Sequence, residues 1–250
     1  DKADHLPLEL VMTPTPMPRT LARTVYADLD TSIIDELPPG RTPIKTVVIS
    51  EDRRPEIVQR VYQACKNEKR QVYWVCTLID ESEVLEAQAA AAIAEDLQRA
   101  LPDLRISLVH GRMKPQEKQD VMMRFKNSEL DLLVATTVIE VGVVVPNASL
   151  MIIENAERLG LSQLHQLRGR VGRGSTASLC VLMYKPPLGK VSQKRLQVLR
   201  DSQDGFVISE KDLEIRGPGE VLGTKQTGIA ELRVANLMRD RKMIPTVQFY

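Results

Sequence analysis

The chain has 250 residues, 43% of them hydrophobic and 27% charged, with a formal net charge of +1, which is the composition of an ordinary globular protein able to bury a sizeable core. No apolar run approaches the ~20 residues of a membrane span, the charged start "DKADH" is not a secretory signal, and Cys65, Cys76 and Cys180 are odd in number and far apart, which excludes a disulfide framework and a zinc cluster. A reducing, cytosolic compartment is the expectation.

In chain order, "LELVMT" (8–13) reads as a strand, followed by a Pro-marked turn, a helix near 18–27 and a linker, "LPPGRTP", at 37–43. "TVVIS" (46–50) is the next strand. Residues 55–66 read as a helix with Ile57, Val61 and Cys65 in register. "VYWVCTLI" (72–79) is a fully apolar strand that puts Trp74, the one tryptophan, in the core. Over 84–101, Leu85, Ala89, Ile93, Leu97 and Leu101 recur every fourth residue and predict one buried helical stripe. "RISLVH" (105–110) is a strand. Residues 115–126 form a helix started by Pro115, with Val121, Met122 and Phe125 inward. "DLLVAT" (131–136), "SLMIIE" (149–154) and "LCVLMY" (179–184) complete the strands, with a short helix from about Ser162 between the last two. Unbroken apolar strands alternating with helices predict a parallel, doubly wound α/β sheet over about 44–185. Beyond 186 the β signals stop. Gln193–Leu199 reads as a helix, "RGPGEVLGTKQTG" (216–228) is turn-rich, and this tail is expected to pack on the sheet.

Ligands of open parallel sheets bind at the carboxyl ends of the strands, which directs attention to "HGRMKP" (110–115), "TTVIEVG" (136–142), "NAERLG" (155–160) and the glycine-arginine string "QLRGRVGRG" (166–174). From Arg158 to Arg200 there are nine Lys and Arg and no Asp or Glu, a local polyanion site or, equally, a solvated basic face. Arg170 and Arg173, three apart, can converge on one ligand, and a guanidinium fork matches phosphate oxygens. Gly169 and Gly172 admit close backbone approach. His5, His110 and His165 are too scattered for a metal site, and no G-x-x-x-x-G-K-[ST] phosphate loop is present.

"TTVIEVG" followed by "QLHQLRGRVGR" resembles motifs V and VI of superfamily 2 helicases, and "VHGRMKP" resembles their motif IV region. With "VMTPTPMPRTLA", "YADLDTSIIDELPPGRTP" and "DLEIRGPGEVLGTKQTG" the chain resembles the RecG family of bacterial ATP-dependent DNA helicases over nearly its whole length. The resemblance implies three parts: residues 1–40 as the end of a first RecA-like domain with motif III and a linker, 41–186 as the second RecA-like domain, and 187–250 as a helical hairpin and loop that moves duplex.

Residue by residue, it implies that Thr13 and Thr15 link nucleotide to DNA, and that His110, Gly111, Arg112, Thr136 and Thr137 face DNA. Glu140 and Gly142 lie by the nucleotide, and Gln166, Arg170 and Arg173 act on its γ-phosphate. Arg168 serves DNA or packing, and Arg216 and Gln226 are the working polar residues of the tail. It further implies ATP and Mg²⁺, held mainly by an upstream RecA-like domain, and branched double-stranded DNA as partner. An upstream wedge domain, single-strand-binding protein, a monomeric state and a nucleoid-associated, cytoplasmic location follow in the same way, with no ATPase activity in this chain alone. Two positions depart from the family pattern: Val144 stands where an acid is usual, and Pro14 interrupts motif III. A transcription-coupled translocase of the Mfd family and a DNA-binding module without turnover are the alternatives.

Overall fold

A strand with no polar face has no side to show to water, so it seeks the middle of a sheet covered on both sides. In the computed structural model, which describes residues 42–77, 83–136 and 144–216, the apolar runs form one all-parallel six-stranded sheet. Its strands are β1 (Ile44–Ser50), β2 (Gln71–Cys76), β3 (Ile106–Val109), β4 (Leu132–Thr136), β5 (Ala148–Ile153) and β6 (Ser178–Tyr184), in the order β1-β6-β5-β2-β4-β3. Every residue of β2, β4 and β5 is buried, while the edge strands β1 and β3 are half-covered. The readings at 8–13, 18–27 and 217–228 lie outside the described residues.

The helices are α1 (Arg54–Lys66), α2 (Glu83–Ala100), α3 (Pro115–Lys126), α4 (Leu161–Arg168), α5 (Lys190–Asp201) and α6 (Gly205–Arg216). α1 and α2 cover one face, around Trp74, Val134 and Ile152. α3, α4, α5 and α6 cover the other, around Tyr73, Phe125 and Met151, where the Tyr73 and Phe125 rings meet edge-to-face at 4.9 Å. This is the doubly wound RecA-like arrangement that the sequence predicts.

α3 has the predicted bounds because Pro115 fits its first turn and Glu117 accepts the Lys114 N–H at 3.2 Å. The predicted stripe of α2 holds at Ile93, Leu97 and Leu101 but not at its start. Leu85 is 47% exposed, while Ala90, Leu97 and Leu101 are buried. Four-residue steps overshoot the 3.6-residue turn, so a stripe repeated every fourth position winds off the core within a few turns. α5 is longer than read, and α6 follows it. Leu196, Leu199 and Ile208 of this pair lie in the same core cluster as the sheet, so packing is continuous across residue 187.

Two polar ties fix the strand starts. Asp131 takes two hydrogen bonds from the Arg105 guanidinium, at 3.0 and 2.7 Å, and one from its main-chain N–H at 2.9 Å, clamping β3 to β4. Gln71, buried at the head of β2, donates through Nε2 to the Phe125 and Leu130 carbonyls and so anchors the turn between α3 and β4.

Candidate functional site

The glycine-arginine string does not lie at the carboxyl ends of the strands. α4 begins beyond the carboxyl end of β5 and leads back to the start of the parallel strand β6, so the turn that follows it, Gly169–Ala177, sits at the amino-terminal edge of the sheet. There it is pinned. Thr42 Oγ1 donates to the Thr176 carbonyl at 3.1 Å, and Gly172 has φ +74° with its α-carbon against Ile44, where a Cβ would stand 2.8 Å from Ile44 Cγ1. A Cβ on Gly174 would stand 2.7 Å from the Pro146 carbonyl oxygen, an atom of the main chain that cannot swing aside. Gly174→Ala should therefore cost about 1–3 kcal/mol, read by urea denaturation of the chain; an unchanged midpoint would show that the turn is not held this way.

On this turn Arg173 is exposed, with Nε donating to the Gly169 carbonyl at 3.2 Å, and Arg170 is half-buried. Burial and then the charge of Arg173 hold the Arg170 pKa below its ordinary value, with the Tyr73 phenol opposing. Tyr73 in turn is pushed up to about 12 by burial, against the pull of Arg170 and Arg173. The fold thus gathers two guanidiniums at one place where they repel, an arrangement that a polyanion would relieve. Gln166 is exposed on α4. Val144, 38% exposed, lies two residues before Pro146, whose carbonyl Gly174 approaches, so the position that departs from the family pattern is close in sequence to this contact.

Arg168 points the other way. It is 2% exposed, and one guanidinium nitrogen donates to the carbonyls of Leu199 at 2.6 Å and Ser202 at 2.9 Å and to Thr46 Oγ1 at 3.3 Å; another meets His165 Nδ1 at 2.8 Å. This takes Arg168 out of the set of DNA contacts and makes it the tie between α4, β1 and the end of α5. Burial lowers its pKa, yet a guanidinium stays charged at any ordinary pH.

The carboxyl edge carries a different chemistry. β3 and β4 are neighbours, with Val109 paired to Ala135, so His110 and Thr136 emerge side by side. The Oγ1 of Thr136, a residue 3% exposed, and the buried Nδ1 of His110 have no hydrogen-bond partner among the described residues. The His110 carbonyl accepts the Met113 N–H at 3.2 Å, which forms a turn carrying Gly111 and the exposed Arg112. Thr13, Thr15, Thr137, Glu140, Gly142 and Gln226 lie outside the described residues, and so does the side chain of Arg216, which closes α6.

Sequence reading misses one cluster at this edge. Glu154, 5% exposed, follows β5 and is ion-paired with Arg54, whose guanidinium carbon lies 5.1 Å from the Trp74 ring centroid. Thr77 Oγ1 donates to the Glu154 carbonyl and, at 3.0 Å, to that of Asn155, which is left-handed with φ 46°. A glutamate closing the apolar run "SLMIIE" was the available signal. Burial raises the Glu154 pKa, with Arg54 opposing. The native state then holds a proton that the unfolded chain has released, so stability falls as pH rises from the ordinary value near ~4.3 through the native one. Glu154→Gln should flatten that segment of the stability–pH curve; an unaltered slope would assign it to other groups.

With this geometry in place, the chain can be compared with known proteins. The helicase conserved C-terminal domain family matches residues 53–175, and the family of the C-terminal part of domain 3 of the ATP-dependent DNA helicase RecG matches 202–249. Over 250 residues the chain is 88% identical to the ATP-dependent DNA helicase RecG of Haemophilus influenzae, with all of this chain aligned. The chain belongs to the RecG family. The chain is also 72% identical to RecG of Escherichia coli K12 over 97% of its length. A solved structure of RecG bound to a three-way DNA junction superposes with a TM-score of 0.72 at 42% identity, covering 92% of this chain and 29% of that one. The chain spans about 36% of the length of the Haemophilus RecG. The match over 202–249 is to RecG itself, which decides between the two helicase families that the sequence resembles.

Proposed function

We propose that this chain works within a longer RecG-type protein as the second RecA-like half of an ATP-driven motor that remodels branched double-stranded DNA. The observation that supports it best is the pair Arg170 and Arg173, two mutually repelling cations on a turn pinned by Thr42, Ile44 and Pro146. Such groups fit the γ-phosphate of ATP held on a facing domain, where they would stabilise the charge of phosphoryl transfer. Gln166, Glu140 and Gly142 would complete that side. Among the described residues no group of three His, Cys, Asp or Glu could hold a metal ion, and Mg²⁺ is assigned to the facing RecA-like domain. This chain alone is expected to lack ATP turnover.

The carboxyl edge is read as the DNA side. Thr136 and His110 carry buried polar atoms without partners among the described residues, and Arg112 stands exposed beside them, a set suited to backbone phosphates rather than base edges. Thr13, Thr15, Thr137, Arg216 and Gln226 are placed in the same role, with the α5–α6 hairpin, tied to α4 by Arg168, passing motion to the duplex. A monomer acting at the cytoplasmic nucleoid, with a wedge domain and single-strand-binding protein as further partners, completes the reading.

The test uses the longer protein carrying this stretch. Branched DNA should stimulate its ATP hydrolysis, and lack of stimulation would sink the reading. Arg112→Ala should weaken branched-DNA binding alike on all sequences and reduce the slope of log affinity against log salt by about one. An unchanged slope would remove Arg112 from the phosphate contacts.

A further inference from the structure

The sheet face opposite the arginine-bearing helix is covered unevenly. α1 packs Ile57 and Val61 into the core there, but Val47 and Ile49 of β1 and Leu179 of β6 stay only partly buried. Between them runs a trough of about 450 Å³, floored by Val47, Ile49, Ile152, Leu179 and Val181 and walled by Ile57 of α1. That volume lies in the range of small-molecule sites, which are mostly apolar with a few placed polar groups.

The polar group is Ser149. It lines the trough near its amino-terminal end, is 4% exposed, and its buried Oγ has no hydrogen-bond partner among the described residues. It stands where the register of β5 against β2 shifts, next to the pairing of Gln71 with Ala148. Lys45, Arg60 and Arg70 line the same cavity. Glu68 is paired with both Arg60 and Arg70, whereas exposed Lys45 makes no ion pair among the described residues. The remaining charged residues of the lining, Arg53 and Glu56, pair with each other. The lining therefore keeps an excess of positive charge beside a buried donor.

We propose that this trough binds a small amphipathic anion. Its apolar body lies along Ile49, Ile152 and Leu179, and its carboxylate, sulfonate or phosphate faces Lys45 at the end of the trough that Ser149 lines. The site borders the arginine turn at Ala177 but contains neither Arg170 nor Arg173 and none of the residues named at the carboxyl edge, and binding there involves no covalent step.

Two fluorescent probes of similar shape test it on the full 250-residue chain: anilinonaphthalene sulfonate, which is anionic, and phenylnaphthylamine, which is neutral. Trp74 is the only tryptophan, and its strand partner Ile152 lines the trough, so occupancy should quench Trp74 and sensitise the probe. The expected result is saturable binding of both probes, displaced by decanoate. The double variant Val47→Phe, Leu179→Phe fills the trough from two partly exposed positions and should abolish it. Lys45→Glu should weaken the sulfonate about tenfold and leave the neutral probe unchanged. Absence of transfer from Trp74, which is also the outcome if another part of the chain covers the trough, would overturn the proposal. So would transfer that survives the double variant, or a Lys45→Glu effect equal on the two probes.

Discussion

Replacing Arg168 with alanine should lower the stability of the chain by about 4 kcal/mol, because it removes the donor from the carbonyl of buried Leu199 and from that of half-buried Ser202. The opposing effect is real. A buried cation without a carboxylate beside it carries a desolvation cost, visible in its lowered pKa, and relief of that cost would make the substitution milder. Hydrogen bonding decides the sign here. The guanidinium also meets Thr46 and His165, so four groups on three elements lose a donor at once. Arg168→Met keeps the apolar stem without the fork and should lose nearly as much as alanine; Arg168→Lys, with one charged point in place of a planar fork, should recover only part. Urea denaturation of the three variants checks the order, and hydrogen exchange at Ser202, whose N–H bonds to the Val198 carbonyl at 3.0 Å, should rise in the alanine variant. A loss below about 1 kcal/mol would mean that Arg168 is not the tie described.

Arg168 also shows where sequence stops being legible. Its neighbours Arg170 and Arg173 are the same residue type in the same glycine-rich string, and nothing in the local pattern says that one points into the core while the others face outward. Periodicity supplies strands and helices because burial on a repeating face is a local property, which is why β2, β4 and β5 and the bounds of α3 were readable. It supplied α2 only roughly, since a step of four and a turn of 3.6 diverge along a long helix. Distance from a strand in sequence puts the arginines at the carboxyl edge of the sheet, but the returning helix α4 carries them to the amino-terminal edge. The Arg54–Glu154 pair joins residues a hundred positions apart, and only the strand order β1-β6-β5 brings them together. The orphaned hydroxyls of Thr136 and Ser149 have no sequence signature at all, because being unpartnered is a property of the packed state.

In the longer protein that carries this stretch, Arg170→Ala should reduce DNA-stimulated ATP turnover by about a thousandfold, roughly 4 kcal/mol of transition-state stabilisation, with branched-DNA affinity nearly unchanged. The two arginines are not equivalent. Arg170 is half-buried, and the packing around it restricts where its guanidinium can lie before any ligand arrives, whereas Arg173 is exposed, with Nε on the Gly169 carbonyl. A group positioned in advance contributes more to a developing charge than one that must be ordered during the reaction. Arg173→Ala should therefore cost less than Arg170→Ala, and Arg170→Lys should restore only a small part of the rate because an ammonium cannot bridge two phosphate oxygens as a guanidinium fork does. The loss should fall on kcat with little change in KM for ATP, as expected of a contact made mainly in the transition state. If KM rises instead while kcat holds, Arg170 binds nucleotide without acting on its transfer. If both parameters stay at the wild-type values, the pair serves the fold alone, and the chain's part in ATP hydrolysis must rest elsewhere.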